Sequence, residues 1–310
     1  MRRLTDTKAF IRAVAYLPDG RLLSVAGKKS VSVWDSVSGH VVETISTRMF
    51  AFALAVAPNG KEFAVSGRSP PATNESLIQI HHLTDPTAGV IYYWAIRRFA
   101  EWDRNPHSIW SLAYTADAAY VVAARRRMGG GNEYDGGDCR WWSRNSLFET
   151  GDLDPPPQGF TVAASNSGSR FVVTGSSQFL VYDHPERTAV ATYPFDASWA
   201  AAAVFLPNGS DVVIGKSSFL LFTDRLTARG KLNPLKTDVR IIRALAVSPD
   251  GQTLLVGGSP GRVERYDLTT RTKLTTYDFD VGVVQSLAFA PDGLTFAVGA
   301  EKGLLLVDVE

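Results

Sequence analysis

The sequence predicts an all-β fold made of seven similar four-stranded units. An apolar run followed by a Pro-Asp-Gly or Pro-Asn-Gly turn recurs along the chain, as in AYLPDG from Ala15, AVAPNG from Ala55 and AFAPDG from Ala288. These strings are spaced by about 42 residues, with two long insertions. No segment of helical length between them shows the helical period of about 3.6 residues. Such units stacked in a ring form a seven-bladed β-propeller of antiparallel blades.

Each unit has the same order of elements. An apolar first strand leads into the turn, where glycine accepts a positive φ angle. A β-branched second strand follows, then a third strand such as VSVWD from Val31, and then a more amphipathic fourth strand such as HVVETI from His40. Short strands separated by turns about every 8–12 residues are typical of an all-β repeat. The turn positions are Gly20, Gly60, Ala118, Gly168, Gly209, Gly251 and Gly293.

Small residues recur near the end of the second strand, where we expect neighbouring blades to pack closely. They are Gly27, Gly67, Ala124, Gly175, Gly258 and Ala300. The blades are predicted to begin near residues 10, 50, 108, 159, 199, 241 and 283, so that residues 1–310 form a single propeller domain.

The last unit ends directly after its third strand. Met1–Thr5 lie as far before Gly20 as Val41–Ile45 lie before Gly60. We therefore predict that residues 1–5 complete the last blade, with the segment from Arg2 to Thr5 pairing with the Leu304–Val307 strand. This pairing closes the ring without a covalent bond and covers an edge strand that would otherwise be exposed.

The units resemble WD40 repeats, and the resemblance covers essentially the whole chain. Trp34-Asp35 is the signature dipeptide of that family, and Tyr182-Asp183, Tyr266-Asp267 and Val307-Asp308 take its place in other units. The family's Gly-His pair is missing from every unit, although His107 lies near its position in the third. The buried Asp-His-Ser/Thr-Trp hydrogen-bond network of the family is therefore not expected. The resemblance implies a non-catalytic scaffold that docks a peptide or a partner protein.

Composition narrows the range of partners. Lys+Arg number 32 and Asp+Glu 31, which gives a net charge of +1 and argues against a dedicated nucleic-acid or membrane surface. A single cysteine excludes an intramolecular disulfide framework. The longest nearly pure apolar stretch, Trp199–Leu206, is far shorter than the roughly 20 residues that span a bilayer. We expect a monomeric cytoplasmic protein.

Long insertions in units two and three mark one face of the propeller, which carries the loops from strand two to three and from strand four to the next unit. They are Arg68–Ser76, Arg97–His107 and Arg125–Asp138. Arginine and aromatic residues are enriched at binding hot spots. The residues here expected to contact a partner are Arg97, Phe99, Trp102, Arg104, Arg125, Arg126, Arg127 and Tyr134. Alternatively, Gly129–Gly137 is a floppy stretch and Arg125–Arg127 a solvated edge.

A second candidate set occupies one repeat position, eight residues before each turn. Its members are Arg12, Phe52, Trp110, Phe160, Ala201, Arg243 and Gln285. Because side chains alternate along a strand, these should ring the mouth of the central channel while the residue before each packs between blades. All except Ala201 are predicted to bind the partner. Alternatively, Phe52, Trp110 and Phe160 fill gaps between blades.

Three other chemistries have weaker sequence support. Glu133, Asp135 and Asp138 could supply oxygen ligands to Ca²⁺, but they match no EF-hand pattern. Arg125–Arg127 with Tyr134 could contact phosphate or RNA. Cys139 directly precedes a predicted third strand, Arg140-Trp141-Trp142, and is expected to be a buried structural thiol.

We predict no catalytic residue, metal site or cofactor. His81 and His82 are adjacent on a strand, so their side chains point to opposite faces. No HExxH, CxxC, GxSxG or P-loop pattern occurs. Two alternatives to docking stay open: a propeller enzyme of the metal-dependent hydrolase or lactonase type, and a small-ligand sensor, each with its site at the central channel.

Overall fold

The computed structural model describes residues 1–4, 10–68, 76–83, 90–95, 108–126, 137–144, 153, 160–165, 169–175, 177–184, 186, 188–195, 200–223 and 232–309. Within these ranges the chain forms seven antiparallel sheets and no helix. None of these residues therefore lies in a helix that is long and apolar enough to cross a membrane.

The first four blades follow one another along the chain. Blade 1 contains β2 (Ala13–Tyr16), β3 (Leu22–Val25), β4 (Ser30–Trp34) and β5 (Val41–Ser46). Blade 2 contains β6 (Phe50–Val56), β7 (Glu62–Arg68), β8 (Ser76–His82) and β9 (Val90–Ala95). Blade 3 has three strands in the described ranges, β10 (Ser108–Tyr114), β11 (Tyr120–Arg126) and β12 (Gly137–Ser143). Blade 4 contains β13 (Thr161–Ala164), β14 (Arg170–Thr174), β15 (Gln178–Asp183) and β16 (Ala189–Pro194).

The last three blades complete the ring. Blade 5 contains β17 (Ala200–Phe205), β18 (Val212–Lys216), β19 (Phe219–Thr223) and β20 (Leu232–Lys236). Blade 6 contains β21 (Ile241–Val247), β22 (Thr253–Ser259), β23 (Arg262–Asp267) and β24 (Lys273–Asp278). Blade 7 contains β25 (Val284–Phe289), β26 (Thr295–Ala300), β27 (Gly303–Asp308) and β1 (Arg2–Arg3).

The first strand of every blade contacts the first strand of both neighbouring blades. This circle of contacts runs from β2 through β6, β10, β13, β17, β21 and β25 back to β2, so the sheets surround a central channel. Apolar clusters fill the spaces between adjacent blades; one joins Ile78 and Ile80 of blade 2 to Ile109, Val121 and Trp142 of blade 3. The predicted seven-bladed β-propeller is confirmed.

The N-terminal strand closes the ring. In β1, Arg2 lies opposite Leu306 and Arg3 opposite Leu305 of β27, and the Leu4 amide donates to the Leu304 carbonyl at 3.0 Å. The Leu4 side chain is only 1% exposed and packs in an apolar cluster with Ile11, Trp34 and Leu304. The predicted closure is therefore confirmed for residues 2–4, and Thr5 lies outside the described ranges.

The Pro-Asp-Gly and Pro-Asn-Gly turns explain why the first and second strands reverse so tightly. The Asp250 carboxylate accepts from the Gln252 amide at 3.0 Å, and Asn59 Oδ1 accepts from the Lys61 amide at 2.9 Å. Gly251 takes a φ of +72°, a conformation that costs glycine little because it has no Cβ. These local bonds turn the chain without help from the rest of the blade.

In blades 6 and 7, the glycine with the closest contacts to the next blade lies one residue earlier in the second strand than the sequence analysis placed it. A Cβ on Gly257 would lie 2.7 Å from Val284 Cγ1, and a Cβ on Gly299 would lie 2.8 Å from Ile11 Cγ2. These two glycines therefore make room for the next blade. The predicted position Gly258 instead faces the Ile241 carbonyl of its own blade, where the first strand crosses closely.

Blade 1 contains one bond of the Asp-His-Ser/Thr-Trp network that the sequence analysis did not expect. Trp34 Nε1 donates to Ser24 Oγ at 2.8 Å, and both side chains are buried. This expectation was therefore wrong for the Ser–Trp bond, because that bond needs only the second and third strands of one blade and no histidine.

Candidate functional site

A β-bulge determines which side chains of the innermost strands reach the channel. In blade 6, Ile242 lies opposite Gly258 and Ala244 lies opposite Gly257, so Arg243 is the extra residue in the ladder. A bulge leaves that residue unpaired and redirects its side chain. The same irregularity occurs in five blades, and its extra residues are Phe52, Trp110, Ala201, Arg243 and Gln285.

Blades 1 and 4 present the corresponding residue just before the first strand. The Arg12 amide donates to the Val25 carbonyl at 2.8 Å, and the Phe160 amide donates to the Thr174 carbonyl at 2.7 Å. The residues that precede this repeat position are buried as expected, namely Ile11, Ala51, Ile109, Ala200, Ile242 and Val284. Gly159, the seventh of them, lies outside the described ranges.

A cavity of about 250 Å³ occupies the channel at the end where the innermost strands begin. All seven blades contribute residues to its wall. Six of the seven residues at the predicted repeat position line it, and we call these six the rim: Arg12, Phe52, Trp110, Ala201, Arg243 and Gln285. Phe160 does not line the cavity and is only 3% exposed; Thr161 and Val162 form the wall in its blade.

Arg12 lies against three aromatic rings. Its guanidinium carbon is 4.8 Å from the ring centre of Phe10, 4.6 Å from that of Phe52 and 5.4 Å from that of Trp110. The Phe52 and Trp110 ring centres are 5.1 Å apart. Burial lowers the pKa of the Arg12 guanidinium, and the positive charge of Arg68 lowers it further. Because arginine stays protonated in proteins, the rings hold a permanent cation beside the cavity.

The polar groups of the cavity wall divide into two kinds. The hydroxyl groups join neighbouring blades: Ser111 Oγ accepts from the Val162 amide at 3.1 Å, Thr161 Oγ1 donates to the Ala201 carbonyl at 3.0 Å, and Ser286 Oγ accepts from the Val14 amide at 3.1 Å. The rim side chains Arg12, Arg243 and Gln285 form no such bond in the described part of the chain. They are therefore the polar groups available to a ligand.

The wall of the cavity is positively charged. Its charged residues are Arg12 and Arg243, and the residues known to line it include no aspartate, glutamate or histidine. Arg243 is exposed, whereas Arg12 is partly buried. This arrangement suits an anionic or hydrogen-bond-accepting group and lacks the ligands that a catalytic metal needs.

The residues predicted from the long insertions are placed only in part. Arg125 and Arg126 belong to β11, opposite Ile109 and Ser108, and not to the loop in which the sequence analysis put them. The strand is longer because Gly137 and Asp138 of β12 extend the ladder on its other side. Outside the described ranges lie Arg97, Phe99, Trp102, Arg104, Arg127 and Tyr134.

The cysteine and histidines considered for nucleophilic or metal chemistry are mostly buried or packed against neighbouring side chains. Cys139 is buried in β12. His81 is buried and stacks on Phe63 with ring centres 5.0 Å apart, while His82 Nδ1 lies 3.7 Å from Glu62 Oε2. Burial lowers the pKa of His81 to about 4, and the nearby charge of His82 adds to this effect. The described residues contain no group of three His, Cys, Asp or Glu side chains that could hold a metal ion. Glu133 and Asp135 lie outside them.

Sequence reasoning missed two neighbours of the rim. Phe10 lies against Arg12, and Arg68, the last residue of β7, acts on the Arg12 charge. Phe10 stands two residues before Arg12, so strand alternation could have placed the two side chains together. Nothing local connects Arg68 with Arg12, because the two residues belong to different blades.

Residues 1–35 match the family model described as "WD40: WD domain, G-beta repeat". The matched segment contains the closing strand β1 and the first three strands of blade 1, and it ends at Trp34-Asp35. One sequence repeat therefore spans parts of two blades. None of the curated proteins compared with this chain matches it.

Proposed function

We propose that this chain, a seven-bladed β-propeller whose residues 1–35 match the WD40 repeat model, is a non-catalytic scaffold that docks a peptide or a partner protein at the rim. Such propellers commonly serve as scaffolds for protein interaction. The docking face is the one on which the innermost strands begin, and the sequence analysis expects the long insertions of blades 2 and 3 on the same face. A monomeric state and a cytoplasmic location remain predictions.

The observation that carries this proposal is the composition of the rim. Two arginines, two aromatic residues and a glutamine from separate blades line one cavity. Arginine and aromatic side chains are enriched at the energetic centres of protein interfaces, whereas an ordinary solvated surface favours lysine and glutamate. The binding role predicted for Phe160 has less support, because its side chain is buried away from the cavity.

The same wall favours docking over the two alternatives. A metal-dependent hydrolase or lactonase needs carboxylates or histidines that converge on the channel, and the residues known to line the cavity include neither. Pockets for drug-sized ligands are usually about 300–1,000 Å³. A cavity of about 250 Å³ fits one inserted side chain better than a whole cofactor.

Affinity capture with quantitative mass spectrometry tests the proposal. The tagged wild-type chain is compared with Arg243→Ala, Trp110→Ala and a control, Lys61→Ala, in an exposed turn on the opposite face. We expect the rim variants to lose the same partners, each by about 2 kcal/mol or more of binding free energy, while the control retains them. Capture of identical partners by all four chains would contradict docking at the rim.

Urea unfolding separates loss of binding from loss of folding. Arg243→Ala should change the free energy of unfolding by less than about 0.5 kcal/mol, since the side chain is exposed. Trp110→Ala should cost about 1–2 kcal/mol through its contacts with Phe52 and Arg12. A cost of about 3–5 kcal/mol would show instead that Trp110 is a core residue. Metal-dependent turnover of a hydrolase substrate that a rim substitution abolishes would overturn the non-catalytic role.

A further inference from the structure

We propose that the rim binds a carboxylate group, presented by an aspartate or glutamate side chain of a docked acidic peptide. This inference rests on the proposed docking function and specifies the chemistry of the partner. It follows from the charge of the cavity, the geometry of Arg12, the number of available donors and the charge of the surrounding face.

Several arginines of the described chain pair with a carboxylate, whereas the two rim arginines have no carboxylate partner among the described residues. Elsewhere Arg21 pairs with Asp19 at 2.7 Å, Arg144 with Glu62 at 2.5 Å, and Arg170 with Asp183 at 2.9 Å. Arg12 and Arg243 form no ion pair within the described residues although they line the same cavity. A ligand carboxylate would supply the missing counter-charge to both.

Arg12 is held in place before any ligand arrives. Its guanidinium lies against Phe10, Phe52 and Trp110, and its Nε atom is buried without a hydrogen-bond partner among the described residues. A fixed guanidinium loses little conformational freedom on binding. Its planar fork of donors matches the two oxygens of a carboxylate. The rim therefore contains an oriented donor whose hydrogen-bonding capacity is not fully used within the described residues.

The number of donors favours a carboxylate over a phosphate. Arg12, Arg243 and the Gln285 amide are available, whereas Ser111, Thr161 and Ser286 already bond neighbouring blades. A carboxylate carries one negative charge on two oxygens, while a phosphate carries nearly two on three and needs more donors. The small volume of the cavity likewise suits a single acidic side chain.

The surface around the rim would attract an acidic peptide although the whole chain has a net charge of only +1. The end of the second strand, or the turn after it, carries basic residues in five blades: Lys28 and Lys29, Arg68, Arg125 and Arg126, Lys216, and Lys302. Acidic residues also lie on this face: Glu301, whose carboxylate accepts from the Val283 amide at 3.1 Å, and Asp280, which pairs with Lys302 at 3.0 Å. The turns of the opposite face carry four aspartates, Asp19, Asp117, Asp250 and Asp292, together with the basic residues Arg21 and Lys61. Such a separation of charge steers an anionic partner to one face.

Fluorescence anisotropy with pools of labelled peptides tests the inference. Each pool has random uncharged residues around one fixed central residue, which is glutamate, glutamine or phosphoserine. We expect the glutamate pool to bind about tenfold or more tightly than the glutamine pool. Arg243→Gln and Arg12→Met should remove this preference, and the control Lys61→Gln should keep it. Because Arg243 is exposed, its variant should fold even if the Arg12 variant does not.

The remaining outcomes are distinguishable. Equal binding of the glutamate and glutamine pools would show that the rim does not recognise negative charge. A clear preference for the phosphoserine pool would show that the rim binds a phosphate and not a carboxylate. If free glutarate binds as tightly as the glutamate pool, the carboxylate that the rim recognises does not have to belong to a peptide, which would contradict that part of the inference. If no pool binds but captured partners still depend on Arg243, the carboxylate inference fails and docking stands. If captured partners do not depend on Arg243 either, both fail.

Discussion

At the scale of the residue, two neighbours in one strand, Ile242 and Arg243, perform different tasks because their side chains point in different directions. Ile242 is fully buried against the preceding blade, where a Cβ on Gly215 would lie 2.5 Å from its Cγ2. Arg243, the next residue, is exposed and lines the cavity. A regular strand would also point the two side chains apart, but the bulge adds a residue to the ladder and so allows the rest of the strand to pair in register.

The buried side chain of His81 should make the stability of the folded chain depend on pH. Its pKa of about 4 lies below the ordinary value of 6.5, so the unfolded chain takes up the proton first. Stability should therefore be highest above about pH 6.5 and fall as the pH decreases toward 4, by about 3 kcal/mol at most, since one pKa unit corresponds to about 1.4 kcal/mol. His81→Phe keeps a ring against Phe63 and removes the titration, so its stability should vary less over this range.

Urea unfolding between pH 4 and pH 8 measures this effect for both chains. His184 contributes a slope of the same sign in both, because burial lowers its pKa as well. Equal pH dependence of wild type and His81→Phe would show that His81 does not control acid stability.

At the scale of the element, the closing strand depends on one apolar side chain. Leu4 is buried in a cluster that contains residues of blades 1 and 7. Leu4→Ala should therefore lower the free energy of unfolding by about 2–5 kcal/mol. Thermal and urea unfolding measure this loss. The exposed neighbour Arg3 provides a matched control, since Arg3→Ala should leave stability nearly unchanged.

Deletion of residues 1–6 tests the closure as a whole. It removes β1 and exposes the free edge of β27, so the melting temperature should decrease more than it does for Leu4→Ala. An unchanged melting temperature after the deletion would contradict the closure, whatever the point substitutions show.

At the interface between blades 6 and 7, an added atom and not a removed one should lower the free energy of unfolding. Gly257→Ala would place a Cβ 2.7 Å from Val284 Cγ1 and 2.9 Å from Leu287 Cδ1. Overpacking of this kind costs about 1–3 kcal/mol. In the double variant Gly257→Ala, Val284→Ala, the shortened partner leaves room for the new atom. Its cost should be smaller than the sum of the single costs by about 1 kcal/mol, which a double-mutant cycle of urea unfolding measures.

At the scale of the whole molecule, blades are joined by apolar clusters and by a few polar contacts. One ion pair between blades connects Arg144, just after β12 of blade 3, with Glu62 of blade 2. Arg144 donates to both carboxylate oxygens, at 2.6 and 2.5 Å, and Glu62 is only 4% exposed. Two parallel bonds of this kind hold neighbouring blades at a fixed angle.

Removal of one partner of this pair should be costly. Arg144→Met leaves the buried Glu62 carboxylate without its main counter-charge, which should cost about 3 kcal/mol of stability. The double variant Arg144→Met, Glu62→Leu removes both charges and should be more stable than Arg144→Met alone. Thermal unfolding of the three chains compares them, and a double variant that is less stable than the single one would contradict this account.

The sequence by itself determined the architecture of this protein, because the signals for it are local. Turns such as Pro249-Asp250-Gly251 reverse the chain through bonds between residues two or three apart. Alternating apolar residues then specify strands, and their recurrence specifies the number of blades. Even the closing strand follows from its distance to the first turn. The Trp34–Ser24 bond was not predicted only because the absence of the histidine was taken to exclude the whole network.

Only the tertiary structure decided how the rim is assembled. Seven residues share one repeat position, yet six line the cavity, and Phe160 is buried and does not line it. The stacking of Arg12 against Phe52 and Trp110 brings together the first three blades. The crowded glycines, such as Gly257, are likewise defined by the adjacent blade. Contacts between blades join residues about 40 or more positions apart, and a pattern that repeats within each blade carries no information about how neighbouring blades pack.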